Sequence, residues 1–450
     1  MSEAFFEKVD VFLSGQGETL LPAPAHHWEL VEEIHGLFFL STRDPNAVLV
    51  TPMGATREQK RRLERAKITV DHTNQQFHDL DGFVVHIPGL LVTEQGTVIA
   101  VCQKRHDSGS DGRTAKDILL SRSEDGGKTW TRQEVIYEDP ESHSCPSALV
   151  EDRSTGTLFL AFWKVPAHIV DILDYFRING EQCAELWLLK STDEGRTWSG
   201  PSHIRPAPNE DGWVGWANNG VHGIQLTAGE HAGRLVIPAF LFKAGEPGQV
   251  AGIRGGLLYS DDHGESWRAG GVLPNGSDES SLVETVEGDI YVSYRRNTRR
   301  TGYRHSARST DGGESFAELG EHEDLPGPGL NVGLIRYASR TDGPGPLLLY
   351  SHPPSLIRAR PGETPAPRLG GSDMTVYLSR DEGRTWPVSR LIEPGPARYS
   401  DLAVTQDGTI LCIYTNGKTR DREKISVARF NLAWVLEGPT PIPIPEGKGH

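Results

Sequence analysis

Five copies of one octapeptide constrain this chain more than any other feature: SEDGGKTW at Ser123–Trp130, STDEGRTW at Ser191–Trp198, SDDHGESW at Ser260–Trp267, STDGGESF at Ser309–Phe316 and SRDEGRTW at Ser379–Trp386. Each sets an Asp two residues after a Ser, a Gly two residues later, then Ser or Thr and an aromatic ring. The Asp can accept N–H groups of its own turn, and the Gly can take a positive φ that other residues resist. The ring then has a fixed direction in which to tuck under a strand.

A second element, a turn followed by an apolar strand, precedes each box. It reads EQGTVIAVCQ near Gly96, TGTLFLAFW near Gly156, GRLVIPAFLF near Gly233, EGDIYVSYR near Gly288, GPLLLYSH near Gly345 and QDGTILCIY near Gly408. Six such strands stand against five boxes; after the sixth, ISVARFNLAWV (Ile425–Val435) reads as a strand. One unit cannot bury both faces of its small sheet, so the copies must pack on one another. Six four-stranded sheets around an axis satisfy this and hide most edges. The expected fold is all-β: a six-bladed β-propeller over residues 81–438.

Residues 1–80 carry no repeat. A strand at Val9–Leu13 (VDVFL) is expected to help close the ring, and the rest to form an insertion packed on the propeller. Within it Thr56–Lys67 reads as a charged helix, and LFFLST and AVLVTP as strands. Residues 439–450 form a Pro-rich, extended tail.

With 46 basic against 61 acidic residues the net charge is −15. Such a surface repels nucleic acid and anionic membranes as partners, and an anionic substrate would need a local cationic pocket. Cys102, Cys145, Cys183 and Cys412 lie far apart with no CxxC pair, which favours reduced, partly buried thiols over two disulfides. The N-terminus has no basic segment followed by an apolar one, and no apolar run reaches spanning length, so a cytoplasmic protein is expected. His106, His143 and His222 sit at blade-edge loops without ligand spacing; neither a metal site nor any other cofactor is expected.

The boxes resemble the Asp boxes of exo-sialidases (neuraminidases), and the resemblance runs from about Asp81 to Val435. Such boxes also occur in non-enzymatic propellers, so they do not fix the chemistry. Further segments are similar to sialidase motifs: HIPGLLVTEQGTVIAVCQKR, GVHGIQL with GRLVIPA, DESSLVE ahead of SYRRN, and RYSDLAV. The resemblance implies a retaining exo-glycosidase that releases a terminal sialic acid or related 2-ulosonic acid through a tyrosyl-enzyme intermediate, with a glycan or sialoside-like small molecule as substrate. It makes Tyr399 of RYSDLAV the nucleophile and Glu279 of DESSLVE the base that takes the phenol proton, with Glu284 the alternative. A phenol carries no charge until it is deprotonated, so it meets the substrate's carboxylate without the repulsion a carboxylate nucleophile would face. The acid/base is implied in RHDSGSDGRTAKD, at Asp111 or Asp107.

Three arginines clamp the substrate carboxylate in this family, since a guanidinium makes bidentate, charge-assisted contacts. Arg295 in SYRRN matches one; Arg368 or Arg358 matches another; Arg105 in CQKR matches a further active-site position. The first clamp residue, the Arg of an RIP motif, is replaced by His in His86-Ile87-Pro88. His86 could stand in for that arginine in substrate binding, the substrate could have shifted to another sugar, or the propeller could bind carbohydrate without turnover. Trp213, Trp216 and Asn218–Asn219 form either an aromatic wall for a sugar ring or core packing.

Overall fold

The computed structural model describes residues 29–34, 37–41, 69–71, 84–106, 116–169, 186–217, 221–243, 253–296, 303–327, 329–338, 347–356, 371–417 and 421–436. From residue 84 onward the described strands form six blades around an axis, each running from an inner to an outer strand. Blade 1 is Val84–Val92, Val98–Arg105, Lys116–Ser123 and Glu134–Tyr137. Blade 2 is Ser142–Asp152, Thr157–Pro166, Leu186–Ser191 and Ser202–Ile204. In blade 3 the inner edge is shared by Trp213–Ala217 and Ile224–Gln225, which both pair with Leu235–Lys243; Arg254–Ser260 and Arg268–Val272 follow. Blade 4 is Ser277–Glu284, Ile290–Arg296, Tyr303–Ser309 and Ala317–Pro326. Blade 5 is Gly333–Ala338, Leu347–His352, Gly371–Ser379 and the first half of Val388–Val404. The second half of that long strand opens blade 6, which continues with Thr409–Asn416 and Lys424–Asn431.

Each box is the turn between the third and fourth strands of its blade. In the first, Asp125 Oδ1 accepts the N–H groups of Lys128 and Thr129 at 2.9 and 2.8 Å, and its Oδ2 accepts the Thr129 hydroxyl at 2.7 Å. The Ser123 hydroxyl donates to Asp125 and accepts the Gly127 N–H, both at 2.8 Å. The indole of Trp130 donates to the Gly127 carbonyl at 3.2 Å. The other boxes repeat the Asp contacts, and bonds from Thr197 hold the Asp193 carboxyl at about 2. The small-residue pattern is thus a hydrogen-bond specification for one turn.

The boxes also bind blade to blade. A Cβ on Gly264 of blade 3 would sit 2.5 Å from Phe159 of blade 2, so only glycine lets the turn lie flat on that ring. Arginines donate across other junctions: Arg122 Nε of blade 1 to the Glu194 carbonyl of blade 2 at 2.7 Å, Arg234 Nη1 of blade 3 to Gly312 of blade 4 at 2.9 Å and Arg308 Nη2 of blade 4 to Glu382 of blade 5 at 2.9 Å. The same contact closes the circle: Arg429 of blade 6 donates to the Gly126 carbonyl of blade 1 at 2.8 Å. Apolar clusters fill the spaces between blades, as where Ile99 and Leu120 of blade 1 meet Leu149 and Phe162 of blade 2.

The sixth blade explains why one box is missing. Its fourth strand is Thr69–Asp71, which pairs antiparallel with Lys424–Asn431 in the register Val427↔Asp71. No turn joins the third strand to the fourth there, so no box is needed. The closing strand therefore comes from within residues 17–80, which the sequence assigned to an insertion; Val9–Leu13, Thr56–Lys67 and residues 439–450 lie outside the described residues. LFFLS does form a strand, Leu37–Ser41, paired with Glu29–Ile34. The last strand is shorter than expected. It stops at Asn431, whose side chain accepts the Trp434 N–H at 2.9 Å and starts a helical turn at Leu432–Leu436. The Arg390 guanidinium covers the Trp434 ring at 4.1 Å, which favours the turn over further strand.

Cys102, Cys145 and Cys412 are buried; Cys183 lies outside the described residues. No helix among the described residues is long and apolar enough to cross a membrane.

Candidate active site

First strands of the blades begin, and second strands end, at the same face of the ring. Tyr399 and Glu279 lie near the starts of first strands, in blades 6 and 4; Arg105 and Arg295 lie at or near the ends of second strands, in blades 1 and 4. The fold thereby gathers residues that are 120 positions apart: the Tyr399 hydroxyl donates to Glu279 Oε1 at 3.0 Å. Arg295 Nη1 donates to the other oxygen, Oε2, at 2.7 Å, and its Nη2 lies 3.0 Å from Asp278 Oδ2. The floor under this group is apolar, built by Ile87, Cys145, Trp163, Val214, Trp216 and Phe242 packed with Tyr399.

Two backbone irregularities mark the site. Tyr399 has a φ of 24°, where its strand slips register between Arg398 and Ser400. Ile87 has a φ of 54°, in the bulge between His86 and Gly89. A positive φ is costly for tyrosine and more so for a β-branched residue. Both irregularities lie beside the contact of His86 with Tyr399.

Burial raises the Glu279 carboxyl above its ordinary value, against the opposing pull of the Arg295 charge. Burial alone would weaken the charge on Arg295, but Asp278 and Glu279 more than restore it, and it stays protonated. His86 is 2% exposed, with its ring edge-on to Tyr399 at 4.7 Å between centroids. Burial first, then the charges of Arg105, Arg422 and Arg398, hold its pKa well below the usual histidine value, so the ring is neutral. His86 packs beside Tyr399 and is closed to solvent. Arg105 is also buried, its Nε donating to Gln103 Oε1 at 2.7 Å.

Asp111, Asp107, Arg368 and Arg358 lie outside the described residues. Glu284 is away from Tyr399: it accepts the N–H groups of Thr227 and Ala228 at 2.8 and 3.0 Å and ties blade 4 to blade 3. His106 pairs with Asp117 at 2.7 Å, His143 lies 3.4 Å from Lys116 Nζ, and His222 pairs with Asp401 at 2.9 Å. No group of three metal-ligating side chains is found among the described residues. Trp216 is core, tilted against Phe240 and Phe242; Trp213 is half-buried beneath Arg254 at 5.0 Å.

Sequence reasoning passed over three charged residues. Asp278 precedes Glu279 in the same motif and shares Arg295. Arg398 precedes Tyr399, with its guanidinium carbon 5.0 Å from the ring centroid. Arg422 lies against Asp421, which Arg398 also faces at 3.8 Å. The signal for Arg398 was its place beside the tyrosine.

A phenol donating to a buried carboxylate of raised pKa can release its proton to that carboxylate. The guanidinium behind the carboxylate fixes its orientation and steadies its charge.

Comparison with known proteins bears on the family and the fold. Residues 96–412 match the model of the BNR repeat-like domain. The chain is 34% identical over 375 residues to a sialidase of Micromonospora viridifaciens, covering 80% of this chain and 53% of that protein. It is 28% identical over 348 residues to a sialidase of Bacteroides fragilis, covering 73% of this chain and 59% of that protein. The chain thus spans rather more than half the length of these two relatives. In structure it resembles the Hadza microbial sialidase Hz136, with a TM-score of 0.64 at 24% identity over 78% of this chain and 66% of that one, a likeness of fold.

Proposed function

The chain belongs to the sialidase family of BNR-repeat propellers, and on that premise we propose that it is a retaining exo-glycosidase releasing a terminal sialic acid or related 2-ulosonic acid through a tyrosyl-enzyme intermediate. The observation that carries this reading is the Tyr399 hydroxyl bound at 3.0 Å to Glu279, whose other oxygen is held by Arg295 at 2.7 Å.

In the first half-reaction Glu279 takes the phenol proton as the Tyr399 oxygen bonds to the anomeric carbon, and the bond to the leaving oxygen breaks. Asp111, the acid implied by the resemblance, would protonate that oxygen. In the second half-reaction Asp111 takes a proton from water, the water oxygen attacks the same carbon, and the tyrosyl bond breaks. Glu279 then returns its proton to the phenolate. Two inversions give retention. The buried carboxylate supports the first step because a base with a raised pKa draws the phenol proton more strongly.

The test is release of 4-methylumbelliferone from its α-sialoside and from related ulosonides, by wild type and by Tyr399→Phe. The expected result is turnover by wild type and a loss of at least about 10³-fold in the variant, since the covalent route is removed. Absence of turnover on every ulosonide defeats the glycosidase reading. A fully active Tyr399→Phe defeats the assignment of the nucleophile.

A further inference from the structure

We propose that Arg398 supplies the carboxylate-binding guanidinium that this chain lacks at position 86, so that the cation has moved from blade 1 to blade 6. The inference deepens the glycosidase reading and rests on it for the class of ligand, a 2-ulosonic acid.

Position 86 cannot do the work itself. The imidazole is buried edge-on to Tyr399, and its Nδ1 has no hydrogen-bond partner among the described residues. An uncharged ring in that place offers at most one donor where an arginine would offer a charged fork. Arg105 and Arg295 are already engaged, the first by Gln103 and the second by both Glu279 and Asp278.

Arg398 is held less completely than these, though it is less open than Arg295. Its side chain keeps 12% of its surface open, beside the Tyr399 ring at 5.0 Å. Its Nε has no hydrogen-bond partner among the described residues, and Asp421, at 3.8 Å, is beyond hydrogen-bond length. A nearly buried guanidinium that bonds the Tyr399 hydroxyl but leaves its Nε unengaged carries a cost that an incoming carboxylate can relieve. The local backbone explains how it reaches the pocket. In a regular strand consecutive side chains point to opposite faces. Here Arg398 pairs with Thr415 and Ser400 with Tyr414, and this slip, with the positive φ at Tyr399, lets residues 398 and 399 both contribute to the site.

The two positions should then be interchangeable but not additive. An arginine placed at 86 with Arg398 present adds a like charge among Arg105, Arg398 and Arg422. The same change in a chain without Arg398 returns the cation to the Tyr399 ring.

The experiment is calorimetric binding of 2-deoxy-2,3-didehydro-N-acetylneuraminic acid and of its C1 methyl ester to wild type, Arg398→Gln, Arg398→Lys, His86→Arg and the double variant His86→Arg/Arg398→Gln. Wild type should prefer the acid. Arg398→Gln should lose about ten- to hundredfold in affinity for the acid and little for the ester, Arg398→Lys should lose less, and His86→Arg alone should weaken the acid. The double variant should bind the acid more tightly than Arg398→Gln. Equal losses for acid and ester would mean Arg398 only shapes the pocket, and unchanged acid binding by Arg398→Gln would mean it plays no part; either result overturns the inference. So does a wild type that binds neither ligand. A wild type that binds the acid through Arg398 yet hydrolyses no ulosonide leaves this inference standing and defeats the glycosidase reading alone.

Discussion

Gly264→Ala isolates how much the boxes hold one blade to the next, because Gly156→Ala is a matched control. Both glycines have a positive φ, 79° and 70°, so both alanines carry the left-handed penalty of about 1–2 kcal/mol. They differ in what a new methyl meets. At Gly156 nothing lies within 4 Å, whereas at Gly264 the methyl would be 2.5 Å from Phe159 Cζ and 2.7 Å from its Cε1. The Phe159 ring is buried and capped by Lys190 Nζ at 5.4 Å, so it cannot swing into solvent. Overpacking a filled site costs typically about 1–3 kcal/mol, which puts Gly264→Ala at about 2–5 kcal/mol in total. At about 2.1 cal/mol/K per residue, a propeller of roughly 350 residues unfolds with an entropy near 0.7 kcal/mol/K. The extra 1–3 kcal/mol should therefore lower Tm by about 1–4 °C beyond the control. Scanning calorimetry on the two variants reads this difference, and Phe159→Leu in the Gly264→Ala background should recover part of it. Equal Tm losses for the two alanines would refute the claim that the turn seats on the neighbouring blade.

Two further outcomes follow from the charges. Glu279→Gln should lower kcat/KM by about 10²–10⁴ without unfolding the chain, as expected for loss of a general base. In wild type, activity should fall as pH drops through a pKa above the ordinary glutamate value near 4.3, because burial raises Glu279; a pH–rate profile with its acid limb at or below that value contradicts the assignment. The second concerns His222, for which burial lowers the pKa but the charge and hydrogen bond of Asp401 outweigh it, leaving a net rise. A raised folded-state pKa gives stability that is complete below about 6.5 and is lost as pH climbs through the folded value. Tm measured from pH 5 to 9 should decline less steeply in Asp401→Asn than in wild type over the alkaline part of that range, and identical slopes would refute the linkage.

The blades were legible in the sequence because each box dictates its own turn: Asp125, Gly127 and Trp130 all contact atoms within eight residues of one another. Tyr399 and Glu279 were legible through motif resemblance, although their 3.0 Å contact is a product of the ring and of no local pattern. Thr69–Asp71 was missed as the closing strand because three residues carry no periodicity; only the open edge of Lys424–Asn431 selects them. The state of His86 was also hidden, since burial and three surrounding guanidinia set it, and those come from blades 1 and 6. Arg398 was overlooked because strand alternation places neighbours of an inward residue outward, and the register slip after it breaks that rule.

The Val427↔Asp71 pairing has a further meaning for a chain made from one end. Thr69–Asp71 leaves the ribosome before any blade exists, and its partner strand emerges only after the other five have been made. Until then the chain carries a strand with nothing to pair with, and at the end blade 6 presents a bare row of N–H and C=O groups. A second nascent chain could fill that edge as readily as the chain's own N-terminal segment. The outer strand of blade 6 thus makes correct assembly a contest between closing one ring and joining two, and tethering within the same chain weights it toward closure.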